Sequence, residues 1–336
     1  MLDEKSRIGK LSIVIPLGGV IPELFECLES IKKSSFKSDE ILLVDDSPDG
    51  NISGEISDYK VIRSTLPGGV SSARNTGAFH SSNELVLFID SDIVLKKDTI
   101  EKILDVFSDD NIDAMVGIQS LDIPFKDFPT QYKNLWMNYT YSNLPVFVPL
   151  FYTSCAAIRK KSFLEVGGFD RNYKMPSLED TVFGRKFTRS GKKIKLCRDI
   201  KVIHLKRYNL KDVLLTDLER SSALVKVILR ERDMLSRKSE KGTSVPYSFM
   251  TGVIFPPFVL LTLILFLIKP LPFFILVILA FSTIMTVFNL KFLSYIKKHK
   301  GWGFLLKSLA FLHLDYIFVD IGIVWGVISF LTGRRY

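Results

Sequence analysis

The sequence contains little of the chemistry that builds disulfide frameworks or zinc sites. Its three cysteines, Cys27, Cys155 and Cys197, are far apart and odd in number. They therefore imply no disulfide framework and show no metal-ligand spacing, and we expect buried thiols in a reducing compartment. Residues 1–10 are charged and lack an apolar core, so they do not predict a signal peptide.

Signatures of nucleic-acid recognition are also missing, although the formal net charge is +9. The sequence has neither zinc-knuckle spacing nor a basic and aromatic RNA-binding pattern, so we expect no nucleic-acid partner. The basic residues cluster instead beside long apolar stretches: Lys201, Lys206, Arg207, Lys211, Lys226, Arg230, Arg232, Arg237, Lys238, Lys241, Lys297, Lys298 and Lys300. An anionic cytoplasmic leaflet attracts lysines and arginines in such positions.

The last third of the chain has the composition of a membrane domain, which we predict over residues 249–336. Residues 209–248 would connect it to a soluble domain over residues 1–208. Apolar spans are predicted at about 249–268, 271–290 and 304–331. Each approaches the roughly 20 residues that a helix needs to cross a bilayer.

The distribution of charge predicts the orientation of these spans. The basic loop from Lys291 to Lys300 should be cytosolic, which places the soluble domain on the cytosolic side. Three crossings would then leave Arg334 and Arg335 on the far side, in mild conflict with the positive-inside rule. A partial crossing, or an interfacial start over Phe304 to Leu312, would remove the conflict.

Two features of the membrane part have alternative interpretations. The pattern from Asn209 to about Leu235 predicts an amphipathic helix, either at the membrane interface or packed on the soluble domain. Ionisable residues also occur within the third apolar stretch, at His313, Asp315 and Asp320. They either line a groove for a lipid-phosphate acceptor or pair with Lys307 or interfacial arginines.

The soluble part alternates short apolar strands with amphipathic helices. Strands are predicted at Leu11–Pro16, Glu40–Val44, Lys60–Arg63, Leu85–Ile89, Asp113–Ile118 and Lys201–Ile203. Helices are predicted from Pro22, over Val70–Phe79 and over Asp98–Phe107. This alternation predicts a doubly wound α/β sheet, whose ligands bind beyond the carboxyl ends of the strands.

Acidic residues follow two of these strands. Asp45 and Asp46 end the second strand, and Asp90 and Asp92 follow the run that ends at Ile89. Paired carboxylates suit Mg²⁺ or Mn²⁺, which in turn binds a diphosphate. An isolated Asp-x-Asp is more often an ordinary acidic turn, but an unpaired carboxylate beside a buried strand would be costly without a cation.

Three further elements have both a functional and an ordinary interpretation. The segment Gly68–Gly77 leads into a helix, where Arg74 either reaches a phosphate or is a solvated side chain. Glu179 and Asp180 begin a helix, where acidic residues are usually favourable caps. His204 follows a strand and is either a surface histidine or a third metal ligand.

Taken in order, these elements resemble the family-2 glycosyltransferases, inverting enzymes of the Rossmann-like GT-A fold. The resemblance covers roughly Leu11 to Tyr208. It depends on the ordered set Val44–Gly50, Gly69–Ala78 with its Ala-Arg-Asn core, Phe88-Ile-Asp-Ser-Asp92, Val166-Gly-Gly-Phe-Asp170, Glu179-Asp180 and His204.

The resemblance implies roles for individual residues. Asp45 or Asp46 would contact the nucleobase, and Pro16, Arg74, Asp90 and Ser91 would lie on the nucleotide side. Asp92 would hold Mg²⁺ or Mn²⁺, with Asp90 nearby and His204 assisting. Asp180 would be the general base, with Glu179 beside it. The implied donor is a UDP- or GDP-sugar, and the implied acceptor is a lipid or lipid-linked molecule at the cytosolic face of the membrane.

The sequence departs from the family pattern at two points. The turn after Pro16 is Leu-Gly-Gly-Val where the family usually has a polar turn, which argues against nucleotide contacts from this loop. The Gln-x-x-Arg-Trp element of processive synthases is absent before the first span, which favours single-sugar transfer over polymer synthesis. The alternatives left open are a processive polysaccharide synthase, a sugar-nucleotide-binding scaffold and a transport module.

Overall fold

A computed structural model describes residues 10–36, 38, 40–48, 50, 52, 56, 58–65, 68–173, 178–231 and 245–334. Part of the predicted amphipathic helix, from 232 to 235, lies outside these residues, as do Arg237, Lys238, Lys241 and residues 1–9. The chain divides into two units. The described residues of unit 1 lie within 10–124 and 141–206, and those of unit 2 lie within 125–140, 207–231 and 245–334.

Unit 1 is an α/β unit, as predicted. Its elements in chain order, with α4 included although most of α4 belongs to unit 2, are β1 (Leu11–Leu17), α1 (Pro22–Lys32), β2 (Glu40–Asp45), β3 (Lys60–Arg63), α2 (Val70–His80), β4 (Leu85–Phe88), β5 (Ile93–Val94), α3 (Thr99–Val106), β6 (Ala114–Gln119), α4 (Phe128–Ser142), β7 (Ala156–Arg159), α5 (Lys160–Val166), α6 (Glu179–Arg189) and β8 (Ile194–His204).

The strands form one mixed sheet in the order β3-β2-β1-β4-β7-β6-β8-β5. The first four strands are parallel, with α1 connecting β1 to β2 and α2 connecting β3 to β4 so that each helix returns the chain to the same end of the sheet. Most apolar side chains of β1, β2 and β4 are buried, for example Ile13, Leu43 and Leu87, whereas those of β3 are partly exposed. Strands β1, β2 and β4 therefore end at one edge, where the acidic residues follow.

A cluster of polar side chains surrounds Glu40, at the end of β2 away from the acidic residues. Glu40 accepts hydrogen bonds from Ser12 Oγ at 2.8 Å, from Ser82 N at 2.9 Å and from Lys60 Nζ at 3.0 Å. Burial alone would raise the pKa of Glu40, but these hydrogen bonds lower it to about 2. The Glu40 carboxylate thus joins β1, β2, β3 and the turn before β4.

The second half of the sheet differs from the prediction. β7 runs antiparallel to both β4 and β6, so the sheet is not purely doubly wound. Neither β7 nor α4 was predicted, and the predicted short strand Lys201–Ile203 is the end of the longer strand β8. β8 pairs in parallel with β6, with a bulge between Val116 and Ile118, and its last residues pair antiparallel with β5.

Unit 2 is helical. Besides most of α4 it contains α7 (Leu210–Arg230), α8 (Tyr247–Gly252), α9 (Pro256–Ile268), α10 (Pro272–Phe288) and α11 (Leu290–Leu331). Two helical stretches in the described chain, Ser248–Ile268 and Leu290–Leu331, are long and apolar enough to cross a membrane, and Pro272–Phe288 is a shorter apolar helix. These stretches overlap the three predicted spans, whose crossing of a membrane stays a prediction, and residues 125–140 group with them rather than with residues 1–124.

The predicted amphipathic helix corresponds to α7. It begins with a capping box, in which Asn209 accepts from Asp212 N at 2.9 Å and Asp212 accepts from Asn209 N at 3.2 Å. Within unit 2, α7 packs against α11, where Ser221 Oγ donates to Val319 O at 3.0 Å.

Two of the ionisable residues in the third apolar stretch, Asp315 and His313, have partners within unit 2, whereas Asp320 Oδ2 is buried without a hydrogen-bond partner among the described residues. Buried Asp315 is hydrogen-bonded to Asp217 of α7, and Asp217 also accepts from Lys133 of α4. His313 lies 2.9 Å from Leu309 O through Nδ1. Of the two predicted alternatives for Asp315, pairing is therefore observed, although its partner is neither Lys307 nor an arginine.

Candidate active site

Strand pairing brings together two side chains that are more than a hundred positions apart in the sequence. β5 pairs with the end of β8 so that Ile93 stands opposite His204, and Leu205 N donates to Asp92 O at 2.8 Å. This register places His204 Nε2 3.1 Å from Asp92 Oδ2. Backbone hydrogen bonds on both sides of the pair therefore determine its position.

Gln119 at the end of β6 holds the other side of the His204 ring. Its side-chain nitrogen lies 2.7 Å from His204 Nδ1 and 2.5 Å from the Tyr152 hydroxyl. With the amide in this orientation, Nδ1 accepts and Nε2 donates to Asp92. Burial alone would raise the pKa of Asp92, but the hydrogen bond from His204 and the charge of Lys206 lower it.

Arg74 joins two carboxylates in the interior of unit 1. It donates to Glu179 Oε1 at 2.8 Å and to Asp90 Oδ1 at 2.9 Å, and its side chain is only 4% exposed. Burial alone would lower the pKa of Arg74, but the two carboxylates raise it. Ser154 Oγ donates to the second oxygen of Asp90 at 2.9 Å. Arg74 therefore links the start of α6 to the turn after β4.

This network contradicts the interpretation of Arg74 as a solvated side chain, while its contact with a phosphate stays a prediction. The guanidinium is buried and contacts protein carboxylates. Both oxygens of Asp90 accept hydrogen bonds from protein groups, and Glu179 is buried at 4% exposure. Sequence reasoning missed Ser154 and Gln119, because neither lies in a recognisable motif and only the fold brings them to these carboxylates.

The acidic pair after β2 is held by local hydrogen bonds. Asp45 accepts from Ser47 N at 2.9 Å and Ser47 Oγ at 2.6 Å, and it lies 3.1 Å from Arg63. Burial would raise the pKa of Asp45, but Ser47 and Arg63 lower it. Asp46 accepts from Gly69 N with both oxygens, at 2.9 and 2.7 Å, which ties β2 to the start of α2.

The remaining predicted residues lie at the same strand ends or at the start of α6. Asp180 occupies the first turn of α6, where its Oδ1 accepts from Thr181 N at 2.5 Å. Pro16 lies in β1 opposite Val44 of β2. Ser91 is partly buried in the turn between the two aspartates that follow β4.

The donor groups of Asp92 and His204 fit a divalent cation that takes its other ligands from water and phosphate. Among the residues described by the structure, no group of three His, Cys, Asp or Glu side chains could hold a metal. Mg²⁺ typically uses one or two carboxylates with water and substrate phosphates, and neutral imidazole is a common metal ligand. A carboxylate and an imidazole 3.1 Å apart satisfy this requirement.

Comparison with known proteins finds similar glycosyltransferases. Residues 12–167 match the family described as Glycosyl transferase family 2. Glycosyltransferase GlyG of Streptococcus pneumoniae is 31% identical over 115 residues, which are 32% of this chain and 38% of the relative. An uncharacterized glycosyltransferase of Haemophilus influenzae is 27% identical over 188 residues, which are 52% of this chain and 60% of the relative. The chain therefore spans less than two thirds of either relative.

A solved structure resembles the chain over most of its length. Mannosyltransferase PcManGT from Pyrobaculum calidifontis, in complex with GDP-Man and Mn²⁺, matches with a TM-score of 0.54 and 17% identity. The match covers 96% of this chain and 87% of that chain. At this level of identity the likeness shows a shared fold.

Proposed function

Because the chain contains a family-2 glycosyltransferase domain with the GT-A fold, we propose that the protein transfers a single sugar from a UDP- or GDP-sugar. The acceptor is a membrane-associated molecule, either a lipid phosphate or a lipid-linked glycan, and the reaction takes place at the cytosolic face. Transfer is a single displacement that inverts the anomeric centre. Candidate membrane helices and the basic residues beside them support the membrane location.

The connection between two carboxylate groups supports this reaction most directly. Arg74 lies 2.9 Å from Asp90 and 2.8 Å from Glu179, so it joins the Asp90–Asp92 turn to the Glu179–Asp180 pair. A donor diphosphate near the first group and an acceptor hydroxyl near the second would then be adjacent. Single displacement requires this adjacency, since the two reacting atoms must lie about 3–3.5 Å apart.

In this proposal Asp92 and His204 hold Mg²⁺ or Mn²⁺. The cation, when bound, would compensate the charge of the leaving diphosphate. Arg74 and Glu179 are positioning residues that fix Asp90, and Asp90 in turn fixes the turn that carries Ser91. At the strand ends Asp45 or Asp46 contacts the nucleobase, with Pro16 beside it.

Asp180 is the proposed general base. Its carboxylate accepts the proton of the acceptor hydroxyl as the hydroxyl oxygen attacks the anomeric carbon. The buried Arg74–Glu179 ion pair holds the first turn of α6 and so restricts the positions open to Asp180. Glu179 itself is enclosed by this pairing, which favours Asp180 as the residue that meets the acceptor.

The donor is identified by a binding screen on the full chain in detergent micelles. UDP- and GDP-sugars are tested by thermal shift with and without Mn²⁺, and the product formed with membrane lipids is then analysed by mass spectrometry. We expect one nucleotide sugar to stabilise the protein only when the cation is present. If no UDP- or GDP-sugar binds, or none gives a glycosylated product, the proposed activity is wrong.

The role of Asp180 is tested by Asp180→Asn, which keeps the size of the side chain but removes its basic oxygen. Turnover should fall by roughly two to four orders of magnitude, the usual contribution of a positioned general base, with donor affinity unchanged. Asp105→Asn, on an exposed helical position of α3, is the matched control and should leave turnover unchanged. Near-normal turnover of Asp180→Asn at intact donor affinity would assign the base elsewhere.

A further inference from the structure

The last helix of the chain is broken near its beginning. Gly301 has φ 78° and ψ −176°, so α11 consists of a short helix before Gly301 and a longer one after it. We name residues 302–331 the tail helix. At 1.5 Å per residue it is about 45 Å long, which exceeds the roughly 30 Å of bilayer hydrocarbon. Length alone would therefore allow it to cross a membrane.

Close backbone packing joins the tail helix to α7. A Cβ atom added at Gly322 would lie 2.2 Å from Leu218 O, and one added at Gly326 would lie 2.7 Å from Ser222 O. These two glycines are four positions apart and share a helix face. Their lack of side chains brings the two backbones into direct contact.

Successive contacts between α7 and the tail helix involve later residues of both helices. Asp217 meets Asp315, while Leu218 and Ser222 meet glycines further along the tail helix. At the far end, burial and then the nearby charge of Arg334 lower the pKa of Lys226. The tail helix therefore runs parallel to α7 from Asp315 to its end.

α7 is too highly charged to enter hydrocarbon. Its ionisable residues are distributed over its whole length: Lys211, Asp212, Asp217, Glu219, Arg220, Lys226 and Arg230. Each such residue at the centre of a bilayer costs about 2.5–3.5 kcal/mol on insertion scales. A tail helix that crossed the membrane would carry α7 and these charges with it.

The hairpin of α9 and α10 has the opposite character. Between Pro256 and Ile268, and between Pro272 and Phe288, neither helix contains an ionisable residue. The tail helix meets the base of this hairpin, where Asn289 Nδ2 donates to the Tyr316 hydroxyl at 2.7 Å. The base is the end of the hairpin away from its tip at Lys269.

We propose that the chain crosses the bilayer twice, through the stretch Ser248–Ile268 that comprises most of α8 and all of α9, and through α10, and that the tail helix lies with α7 in the headgroup region of one anionic leaflet. Apolar side chains on the exposed face of the tail helix would enter the upper acyl region: Leu306, Leu314, Ile321, Val324, Trp325 and Ile328. Lysines near the break, with Arg334 at the end, would contact anionic headgroups. Both ends of the tail helix then lie on the side of the membrane where α7 begins, which agrees with the positive-inside rule.

Sidedness labelling tests this topology in intact cells and inverted vesicles. Single cysteines are introduced at exposed positions in the full chain, as Thr332→Cys after the tail helix, Lys211→Cys in α7 and Lys269→Cys at the hairpin tip. The three native cysteines are buried and serve as a silent background. With a membrane-impermeant maleimide, Thr332→Cys should label on the same side as Lys211→Cys, and Lys269→Cys on the other.

Labelling of Thr332→Cys together with Lys269→Cys would establish a third crossing and overturn the proposal. Labelling of all three positions from one side would overturn it as well, because the hairpin would then not cross.

A depth measurement gives a second, independent readout. Leu314→Cys, Ile321→Cys and Ile328→Cys lie seven positions apart on one helix face, and each is spin-labelled in vesicles of phosphatidylethanolamine and phosphatidylglycerol. We expect nearly equal depths from oxygen and nickel-chelate accessibility. A crossing helix would instead change depth by about 10 Å per seven residues, apart from its tilt. Leu276→Cys and Val287→Cys on α10 are the controls that should show such a gradient.

Discussion

Replacing Arg74 by methionine should destabilise unit 1 more than any surface substitution in it. The side chain of Arg74 is 4% exposed and neutralises Glu179, which is also 4% exposed, together with the more accessible Asp90. Methionine keeps much of the apolar part of the arginine side chain, but it leaves the Glu179 carboxylate buried without the guanidinium that neutralises it. Removing one partner of a buried ion pair typically costs about 3–5 kcal/mol. That is a large fraction of the roughly 5–15 kcal/mol by which a native domain is stable.

The native cysteines provide the assay. Cys27, Cys155 and Cys197 all lie in unit 1 and are buried, so a small disulfide reagent reacts with them only when unit 1 opens. Labelling of the full chain in detergent over a urea series gives the free energy of unfolding of unit 1. Lys33→Met removes a lysine from an exposed ion pair with Glu29 and should change that free energy by less than about 0.5 kcal/mol.

A double variant separates the buried charge from simple loss of packing. Glu179→Gln added to Arg74→Met removes the uncompensated charge, so the double variant should be more stable than Arg74→Met alone. A loss below about 1 kcal/mol for Arg74→Met, or no recovery in the double variant, would refute the view that Arg74 neutralises a buried carboxylate.

Three further outcomes are expected. Because the folded pKa of Glu40 is about 2, below its ordinary 4.5, its stabilisation is present above pH 4.5 and lost as the pH falls toward 2. The urea midpoints of the wild type and of Glu40→Gln, measured by the reaction of the cysteines with 4,4′-dithiodipyridine, should therefore converge as the pH falls below 4.5. A difference between the two midpoints that does not change with pH would contradict this. Gly77→Ala places a Cβ 2.2 Å from Val14 Cγ1 and should lower the stability of unit 1 by about 1–3 kcal/mol, measured by the same cysteine labelling. Gln119→Met releases the His204 ring and should weaken Mn²⁺-dependent donor binding about 10- to 100-fold, measured by calorimetry. If donor binding by the variant depended on Mn²⁺ as it does in the wild type, this expectation would be wrong.

The fold of unit 1 could be predicted where local pattern decides structure. The continuous apolar runs at Leu11–Leu17 and Leu85–Phe88 are typical of buried parallel strands, and both strands are confirmed. β7 was missed because four residues carry too little periodicity. The grouping of residues 125–140 with unit 2 depends on tertiary contacts that no local pattern records.

The candidate site shows the same limit. The position of Asp92 beside His204 agrees with the expectation drawn from motif order, because strand ends meet at one edge. The partners of Arg74 could not be predicted, since Asp90 and Glu179 come from distant parts of the sequence and meet only through the sheet and α6. The sequence left Arg74 either solvated or near a phosphate, and only the fold shows that it is buried in an internal ion pair.

The edge position of β5 has a consequence for biosynthesis. In the sheet order β5 stands next to β8, yet Ile93 leaves the ribosome about 110 residues before His204. At roughly 5–20 residues per second, the completed strand β5 waits about 5–20 s for its partner. A nascent chain that ends before β8 can build the parallel half of the sheet but not the paired Asp92 and His204. Ribosome-bound chains arrested before His204 should therefore be unable to bind a cation at this position.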